Sequence, residues 1–484
     1  MTVDTPVNGT HEAIKAGLGL DHRAMLSKSA IARPPSAIRS LFPQELIPGM
    51  LSLLAGKPNA STFPFESISL GLKNGDKIDI TGSDLDDALQ YSATAGLPRF
   101  IEWLVQWQHK IHGRDIVRKG DQVKDGKNSW RVTVGAGSQD LLTKTFHALL
   151  NPGETCLAER PAYSGILPPL QTMGINIIAV EGDREGMSPV SLEDILANWH
   201  TNVSTRDLPF PKFVYTTPTG ANPTGTTASE QRKKENLDIA RRYGILILED
   251  DPYMFISFQG LGEGTPETRR RVRTYWSLEQ DDAERYGGTG WVLRFDSFSK
   301  VLSAGIRVGF LSGPNTILDA IDLDTSSANL QPNGAAQAMV LALLERWGID
   351  GFLRHCDTVA EFYQNRRNNF EQKAQKVLGT NNGKQKAVAE WITPVAGMFL
   401  WFKLKLPPTD EGVEEGDSFS LIGEKALKNL VLAVPGVAFM PDSKTTCYVR
   451  TSFSLIPEED VEEAFQRLRK TVIEAWQESG HAMP

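Results

Sequence analysis

Ile245-Leu246-Ile247-Leu248-Glu249-Asp250-Asp251-Pro252-Tyr253 is the stretch from which the fold can be read. Four apolar residues in a row, with no polar alternation, suit a strand covered on both faces. Strands of that kind belong to mostly parallel sheets flanked by helices. Three consecutive acids at the end of the strand repel one another unless something positive stands nearby. In open parallel sheets, functional groups collect at the carboxyl ends of strands. A protonated ring nitrogen would answer such a carboxylate; a solvated acidic turn or a helix cap is the plainer reading of the same residues.

Upstream, the texture repeats. A short apolar run (Val132, Val134) meets Gly135-Ala136-Gly137, and a helical pattern follows from Gln139 to Leu150. Extended runs at 155–158, 175–180 and 212–216 alternate with helical stretches at 191–199 and 229–243, which is the signature of βαβ units. Beyond Pro332 the order changes to long helical stretches (335–347, 359–377), separate extended runs (398–404, 430–434, 447–453) and a closing helix from Pro457 to about Glu478. The expected organisation is a mobile segment at 1–30, an N-terminal segment of the smaller domain at 31–80, a large domain at 81–335 and a C-terminal smaller α+β domain at 336–484. The arginine-rich stretch 262–288 reads as a surface insertion.

Composition narrows the function. A net charge of -8 over 484 residues argues against a nucleic-acid or anionic-membrane role. Three scattered cysteines make no disulfide framework. No apolar run approaches the ~20 residues that span a bilayer, and the acidic N-terminus resembles no signal or transit segment. The expectation is a soluble, cytoplasmic protein that binds neither nucleic acid nor membrane. His109 and His112 are close enough to share a helix face, but no metal-site motif surrounds them, so no metal is expected and a solvated helix face is the reading.

Four motifs carry chemistry. Ser297-Phe298-Ser299-Lys300 follows the apolar run 291–295, with Arg307 seven residues further on. A lysine at a buried strand end is costly unless neutral or paired, and desolvation beside a cation makes it a nucleophilic amine. Hydroxyls and an arginine beside it suit a phosphate dianion; alone, the lysine also reads as a surface residue. Thr217-Pro218-Thr219-Gly220-Ala221-Asn222-Pro223-Thr224-Gly225 fixes a tight turn that aims Asn222. Gly135-Ala136-Gly137-Ser138-Gln139-Asp140 opens a helix whose N–H groups form an anion site. A dinucleotide site is weak there, because Asp140 breaks the G-x-G-x-x-G pattern. The fourth motif is the acidic strand end with which this reading began.

The order and spacing of these motifs, together with Tyr91-Ser92-Ala93-Thr94-Ala95-Gly96 and Pro161-Ala162-Tyr163-Ser164-Gly165, resemble the class I/II aminotransferases of fold-type I, and most closely the fungal aromatic and the kynurenine/2-aminoadipate aminotransferases. The resemblance covers the chain from about Arg33 to its last helix. It implies a large domain whose mostly parallel, seven-stranded-type sheet lies between helices, with a smaller α+β domain built from the N-terminal segment and the C-terminal part. It also implies pyridoxal 5′-phosphate, bound covalently to Lys300, which then moves the proton between Cα and the cofactor. Asp250 would pair with the pyridine nitrogen, Asp251 being a bystander, while Tyr253 and Asn222 would bond the phenolic oxygen and Tyr163 would stack on the ring. Ser138, Gln139, Ser297 and Arg307 would hold the phosphate, with Tyr91 reaching it from the partner of a homodimer. Arg450, in Tyr448-Val449-Arg450-Thr451-Ser452-Phe453, would clasp the substrate carboxylate, with Asn222 and Gly56 around the substrate; Arg39, in the 31–80 segment that covers the substrate in the relatives, would pair with a distal carboxylate or anchor that segment.

Two departures bear on substrate choice. Ala55-Gly56-Lys57-Pro58 stands where relatives often read Gly-Gly-Leu-Pro, and Ala221 stands where they often carry Gln or Asn. The implied reaction is transfer of an amino group from tryptophan, phenylalanine or tyrosine to a 2-oxo acid. Kynurenine or 2-aminoadipate is the alternative donor, and a C–S or β-elimination lyase with the same Lys300 and Asp250 is the alternative reaction. A non-catalytic sensor is disfavoured, since only about 30 residues precede the match.

Overall fold

The computed structural model of the chain describes residues 19–38, 41, 44–45, 47–54, 56–116, 129–269, 271–381, 383–409 and 412–482. The deciding strand is as buried as its composition demands, with Ile245 to Leu248 all at 0% exposure. It is one of eight in the main sheet: β1 (Arg131–Gly135), β2 (Thr155–Arg160), β3 (Asn176–Asp183), β4 (Gly186–Met187), β5 (Phe213–Thr216), β6 (Leu246–Asp250), β7 (Val292–Ser297) and β8 (Gly309–Gly313). Their spatial order is β1-β8-β7-β6-β5-β2-β3-β4. The pairs from β7 through β6, β5 and β2 to β3 are parallel, while β8 runs against both its neighbours and β4 against β3. The seven-stranded expectation therefore gains one strand. That strand is a two-residue return of a hairpin, too short to carry a periodic signal.

Alternation sends the two faces of the sheet into two apolar layers. Leu246, Leu248, Leu293 and Phe295 pack with the helices Ser138–Leu149 and Asn315–Ala328. Ile245, Ile247 and Val292 pack with Pro98–His112, Pro189–Ala197 and Glu230–Tyr243. At about 25 cal/mol per Å² of apolar surface, burial on both faces is what fixes the register, because a one-residue slip would exchange the layers.

The smaller domain holds a four-stranded antiparallel sheet of β9 (Ala389–Glu390), β10 (Phe399–Leu404), β11 (Val434–Pro435) and β12 (Tyr448–Ser452), in the order β9-β10-β12-β11. The helix Val461–Ser479 packs on it. A long helical run, Gly334–Val377, joins the domains and breaks at Gly348, whose φ of 65° lies in the left-handed region. The run 430–434 is mostly not a strand. Leu430 sits at φ 55°, 77% exposed, and only Val434 and Pro435 pair with β12.

Two other expectations are corrected. Residues 21–32 hold two short helices, His22–Met25 and Lys28–Ala32, capped by Asp21 and Ser27. Ser27 is anchored to the large domain, its N–H donating to Ala148 O and its hydroxyl to His147 O, each at 2.7 Å. Helices of four and five residues show no period. The arginine-rich stretch, moreover, is no mere surface insertion. Arg269 is 6% exposed and pairs with Asp357 at 2.8 Å, Arg271 pairs with the same carboxylate, and Tyr275, Trp276 and Glu279 are core residues. Composition registers charge, but not whether each charge has been given a partner.

His112 also departs from its reading as a solvated residue. It is 3% exposed, and its Nδ1 lies 3.1 Å from Thr274 Oγ1.

Candidate active site

The strand end of β6 divides its three acids by alternation. Glu249 stands level with Arg294 of β7. Residues two further on in each strand, Asp251 and Asp296, share that face. Arg294, with no exposure, lies 3.3 Å from Glu249, 3.1 Å from Asp251 and 2.8 Å from Asp296. Glu249 also accepts the backbone N–H groups of Tyr275 and Trp276. Asp251, taken for a bystander, is thus a member of a buried ion network.

Asp250 points the other way. It is 3% exposed; its Oδ2 accepts from the Tyr215 hydroxyl at 2.6 Å, and its Oδ1 is buried with no partner among the described residues. Burial, opposed by the Tyr215 bond and reinforced by Asp251 and Asp296, pushes its carboxyl up to about 7.

Lys300 is half-buried beyond the end of β7 and lies on the same side. Burial pulls its ammonium down, Arg307 and Arg450 add to this, and Asp250 opposes it. Its Nζ is 5.9 Å from the centre of the Tyr253 ring. Tyr253, 4% exposed, has its phenol pushed up by burial and then by Asp250.

Arg307 adopts φ 53°, a left-handed conformation that costs a non-glycine residue of order 1 kcal/mol and persists where surroundings impose it. Its guanidinium donates to Ala136 O at 2.8 Å, Ala304 O at 3.1 Å and Ser299 Oγ at 3.3 Å. A Cβ on Gly137 would come within 2.5 Å of that guanidinium, so only glycine lets the arginine close over the start of the helix Ser138–Leu149. That N-terminus has no side-chain cap, and Ser138 Oγ and Gln139 Oε1 are buried without partners among the described residues. Gln139 Nε2 donates to Gly165 O at 2.8 Å, and a Cβ on Gly165 would strike the Tyr163 ring. Ser297 Oγ accepts the Ser299 N–H.

From the small domain, Arg450 of β12 reaches across to Asn222, donating to its Oδ1 at 2.9 Å. Its guanidinium sits 4.5 Å from the Phe399 ring and 5.0 Å from Phe439, and its Nε is buried and unpartnered. Among the described residues no carboxylate pairs with Arg307 or Arg450. Two cations without anions therefore flank a lysine held toward its neutral form, opposite a carboxylate with one orphaned oxygen. The arrangement can receive one anion at the helix start, another at Arg450, and a flat polar ring between them.

The structure thus brings together Ser138, Gln139, Tyr163, Asn222, Asp250, Tyr253, Ser297, Lys300, Arg307 and Arg450. It does not bring Tyr91 or Gly56 to them within this chain. Tyr91, 50% exposed, lines a separate surface pocket of about 430 Å³ with Pro58 and Asn333, and Gly56 is exposed with open space around it. Arg39 and Ala55 lie outside the described residues. Sequence reasoning missed Tyr215, Arg294, Phe399 and Phe439. The signal for Tyr215 was available, since a polar aromatic interrupts the apolar strand Phe213–Thr216 two residues before the turn that carries Asn222. A cavity of about 690 Å³, lined by Glu159, Trp401 and Tyr448, contains none of the site residues and lies beside the Asn222 turn.

The chain is similar to known proteins over most of its length. A family model for aminotransferases of class I and II matches residues 77–468. The chain is 41% identical over 438 residues to aminotransferase tdiD of Emericella nidulans, covering 90% of this chain and 92% of that one. It is 36% identical over 460 residues to the mitochondrial kynurenine/alpha-aminoadipate aminotransferase of Bos taurus, covering 94% and 100%. Among solved structures, the aromatic aminotransferase Aro9 of C. albicans superposes with a TM-score of 0.78 at 25% identity, over 95% of this chain and 99% of that one.

Proposed function

The chain belongs to the class I and II aminotransferases, and from that premise we propose that it moves the amino group of an aromatic L-amino acid to a 2-oxo acid, with pyridoxal phosphate bound covalently to Lys300. The observation that carries this reading is a lysine pulled toward its neutral form beside two arginines, Arg307 and Arg450, that pair with no carboxylate among the described residues. The family's cofactor fits them. Ser138, Gln139, Ser297, Arg307 and the open helix start would hold its phosphate, Asp250 its ring nitrogen, Asn222 and Tyr253 its phenolic oxygen, and Tyr163 one ring face. The orphaned Ser138 hydroxyl, free to donate to the phosphate, and the orphaned Asp250 Oδ1, free to accept from the ring nitrogen, support that fit. When bound, pyridoxal phosphate supplies an aldehyde that captures the amino group and a ring that takes up electrons when the Cα proton leaves.

The chain's own residues do the rest. Arg450 would hold the substrate carboxylate and so orient its Cα toward Lys300. Lys300 Nζ, its ammonium pulled down by burial and by Arg307, takes the Cα proton as a general base. Asp250 stays charged against a cationic ring nitrogen, which preserves the pull on the electron pair. The aromatic walls of Phe399 and Phe439 around Arg450 support an aromatic side chain in the donor. The relatives' names favour transfer over elimination, and the bovine relative's name favours kynurenine or 2-aminoadipate as the second reading of the donor. We place the enzyme in the cytoplasm as a homodimer. The exposed apolar side chains Ile47, Leu51, Leu53 and Phe65, in the same N-terminal region as Tyr91, support a covering second copy.

The test mixes the cofactor-loaded protein with tryptophan, phenylalanine, tyrosine, kynurenine or 2-aminoadipate, without any oxo acid, and records absorbance. Loss of the lysine-bound cofactor band and growth of the pyridoxamine band with the aromatics is the expected result. The same response to kynurenine or 2-aminoadipate alone moves the donor to the second reading. No response to any of the five overturns the proposed donor class.

A further inference from the structure

β5 runs beside β6 with Tyr215 level with Leu248, so Tyr215 and Asp250 project from the same face. Tyr215 is 1% exposed. Its hydroxyl lies 2.6 Å from Asp250 Oδ2 and 3.3 Å from Thr217 Oγ1. A carboxylate only accepts, so Tyr215 donates to Asp250 and its oxygen is left to accept from Thr217. Burial, and then the neighbouring Asp250, push the Tyr215 phenol well above its ordinary value, which keeps it a permanent donor.

We propose that Tyr215 is a positioning residue of the reaction: braced by Thr217, its hydroxyl fixes Oδ2 of Asp250 and leaves Oδ1 as the oxygen presented to the cofactor's ring nitrogen. This rests on the role given to Asp250 above. Oδ1 is the atom left buried and without a partner among the described residues. The carboxylate that carries it stands among opposing influences, with burial, Asp251 and Asp296 favouring the neutral acid and the Tyr215 bond chief among those favouring the anion. A neutral acid there would hold no charge against the ring nitrogen. The hydroxyl therefore acts on both orientation and charge. The rest of the tyrosine is core filling, which phenylalanine would supply equally well.

Tyr215→Phe in the cofactor-loaded enzyme separates these roles. Losing one hydrogen bond to a charged group lowers kcat by roughly 10- to 100-fold, while KM for the donor amino acid stays near its original value because Arg450 is untouched. The readout that core filling would not move is spectroscopic. A less protonated ring nitrogen raises the pH at which the lysine-bound cofactor band titrates, by about one pH unit. Cofactor-free Tyr215→Phe also rebinds pyridoxal phosphate about tenfold more weakly. Thr217→Val, which keeps the tyrosine and removes its brace, moves the band titration in the same direction by less, and serves if Tyr215→Phe does not fold. Asp250→Asn is the reference. If it shifts the band and neither Tyr215→Phe nor Thr217→Val does, the positioning role is wrong and the role of Asp250 stands. If Asp250→Asn leaves both band and kcat unchanged, the role of Asp250 itself is wrong. In the Asp250→Asn background, Tyr215→Phe adds no further loss of kcat; an additive loss overturns the coupling.

Discussion

The two faces of Glu249-Asp250-Asp251 carry the same chemical group and have opposite fates. On one face, Glu249 and Asp251 are answered from within the chain by Arg294, which also holds Asp296. On the other, among the described residues, Asp250 receives a single hydroxyl and keeps one oxygen bare. Burial raises both Glu249 and Asp250, but for Glu249 the next influence is the Arg294 charge, and for Asp250 it is a neutral phenol. A buried charge whose partner lies inside the fold contributes to structure; one whose partner is missing points to something the chain must bind. The same contrast separates Arg269 and Arg271, which share Asp357, from Arg307 and Arg450, which have no carboxylate among the described residues.

The contrast breaks first at Lys300. Lys300→Ala should lower turnover on the order of 10⁴-fold, since it removes both the covalent attachment and the general base, and should leave the denaturant midpoint of the cofactor-free protein essentially where it was. Loss of folding with loss of activity would make Lys300 a structural residue. Arg294→Met should do the reverse. It leaves three buried carboxylates without their cation and should cost about 3–5 kcal/mol of unfolding free energy, read by urea titration, while turnover per folded molecule changes far less than in Lys300→Ala. A stable but inactive Arg294→Met would mean that the network serves the chemistry directly.

A smaller effect lies in pH. The Asp250 carboxyl, raised to about 7 from 3.8, binds its proton more tightly in the folded cofactor-free protein than in the unfolded chain. Stability contributed by that proton is therefore complete below the unfolded value and lost as pH rises toward 7, by up to about 4 kcal/mol. Glu159, also raised to about 7 by burial, adds a slope of the same sign. Asp250→Asn should flatten the fall in urea midpoint between pH 5 and pH 8 without abolishing it, because Glu159 remains. An unchanged slope would remove Asp250 from the titrating groups.

Much of this was legible in the sequence because it is local. The apolar run 245–248 fixed a doubly covered strand, and the motif residues around Lys300 needed only the strand-end rule to be gathered. What was not legible depends on which distant residue answers which. Nothing near Arg294 names Glu249 and Asp251 as its partners; that follows from register, and register is set by the two apolar layers together. The arginines at 269 and 271 look solvated until Asp357, on a helix more than eighty residues away, is placed beside them. Helices as short as 22–25 and 28–32, and a strand as short as 186–187, leave no period to detect.

The finest test of charges answered from outside the chain concerns Tyr91. Within one subunit it joins neither Arg307 nor Ser138, and its ring is half exposed. If it completes the phosphate site of a second copy, Tyr91→Phe loses one hydrogen bond to a dianion and weakens cofactor binding about tenfold. Mixing settles whose site it serves. In a hybrid of a Lys300→Ala subunit with a Tyr91→Phe subunit, the site built on the intact Lys300 takes its Tyr91 from the Lys300→Ala partner and is whole. The other site carries both lesions. Hybrids should therefore bind cofactor covalently with the original affinity at one site in two. Were Tyr91 to serve its own subunit, the intact lysine would always sit beside the phenylalanine, and no hybrid site would regain that affinity.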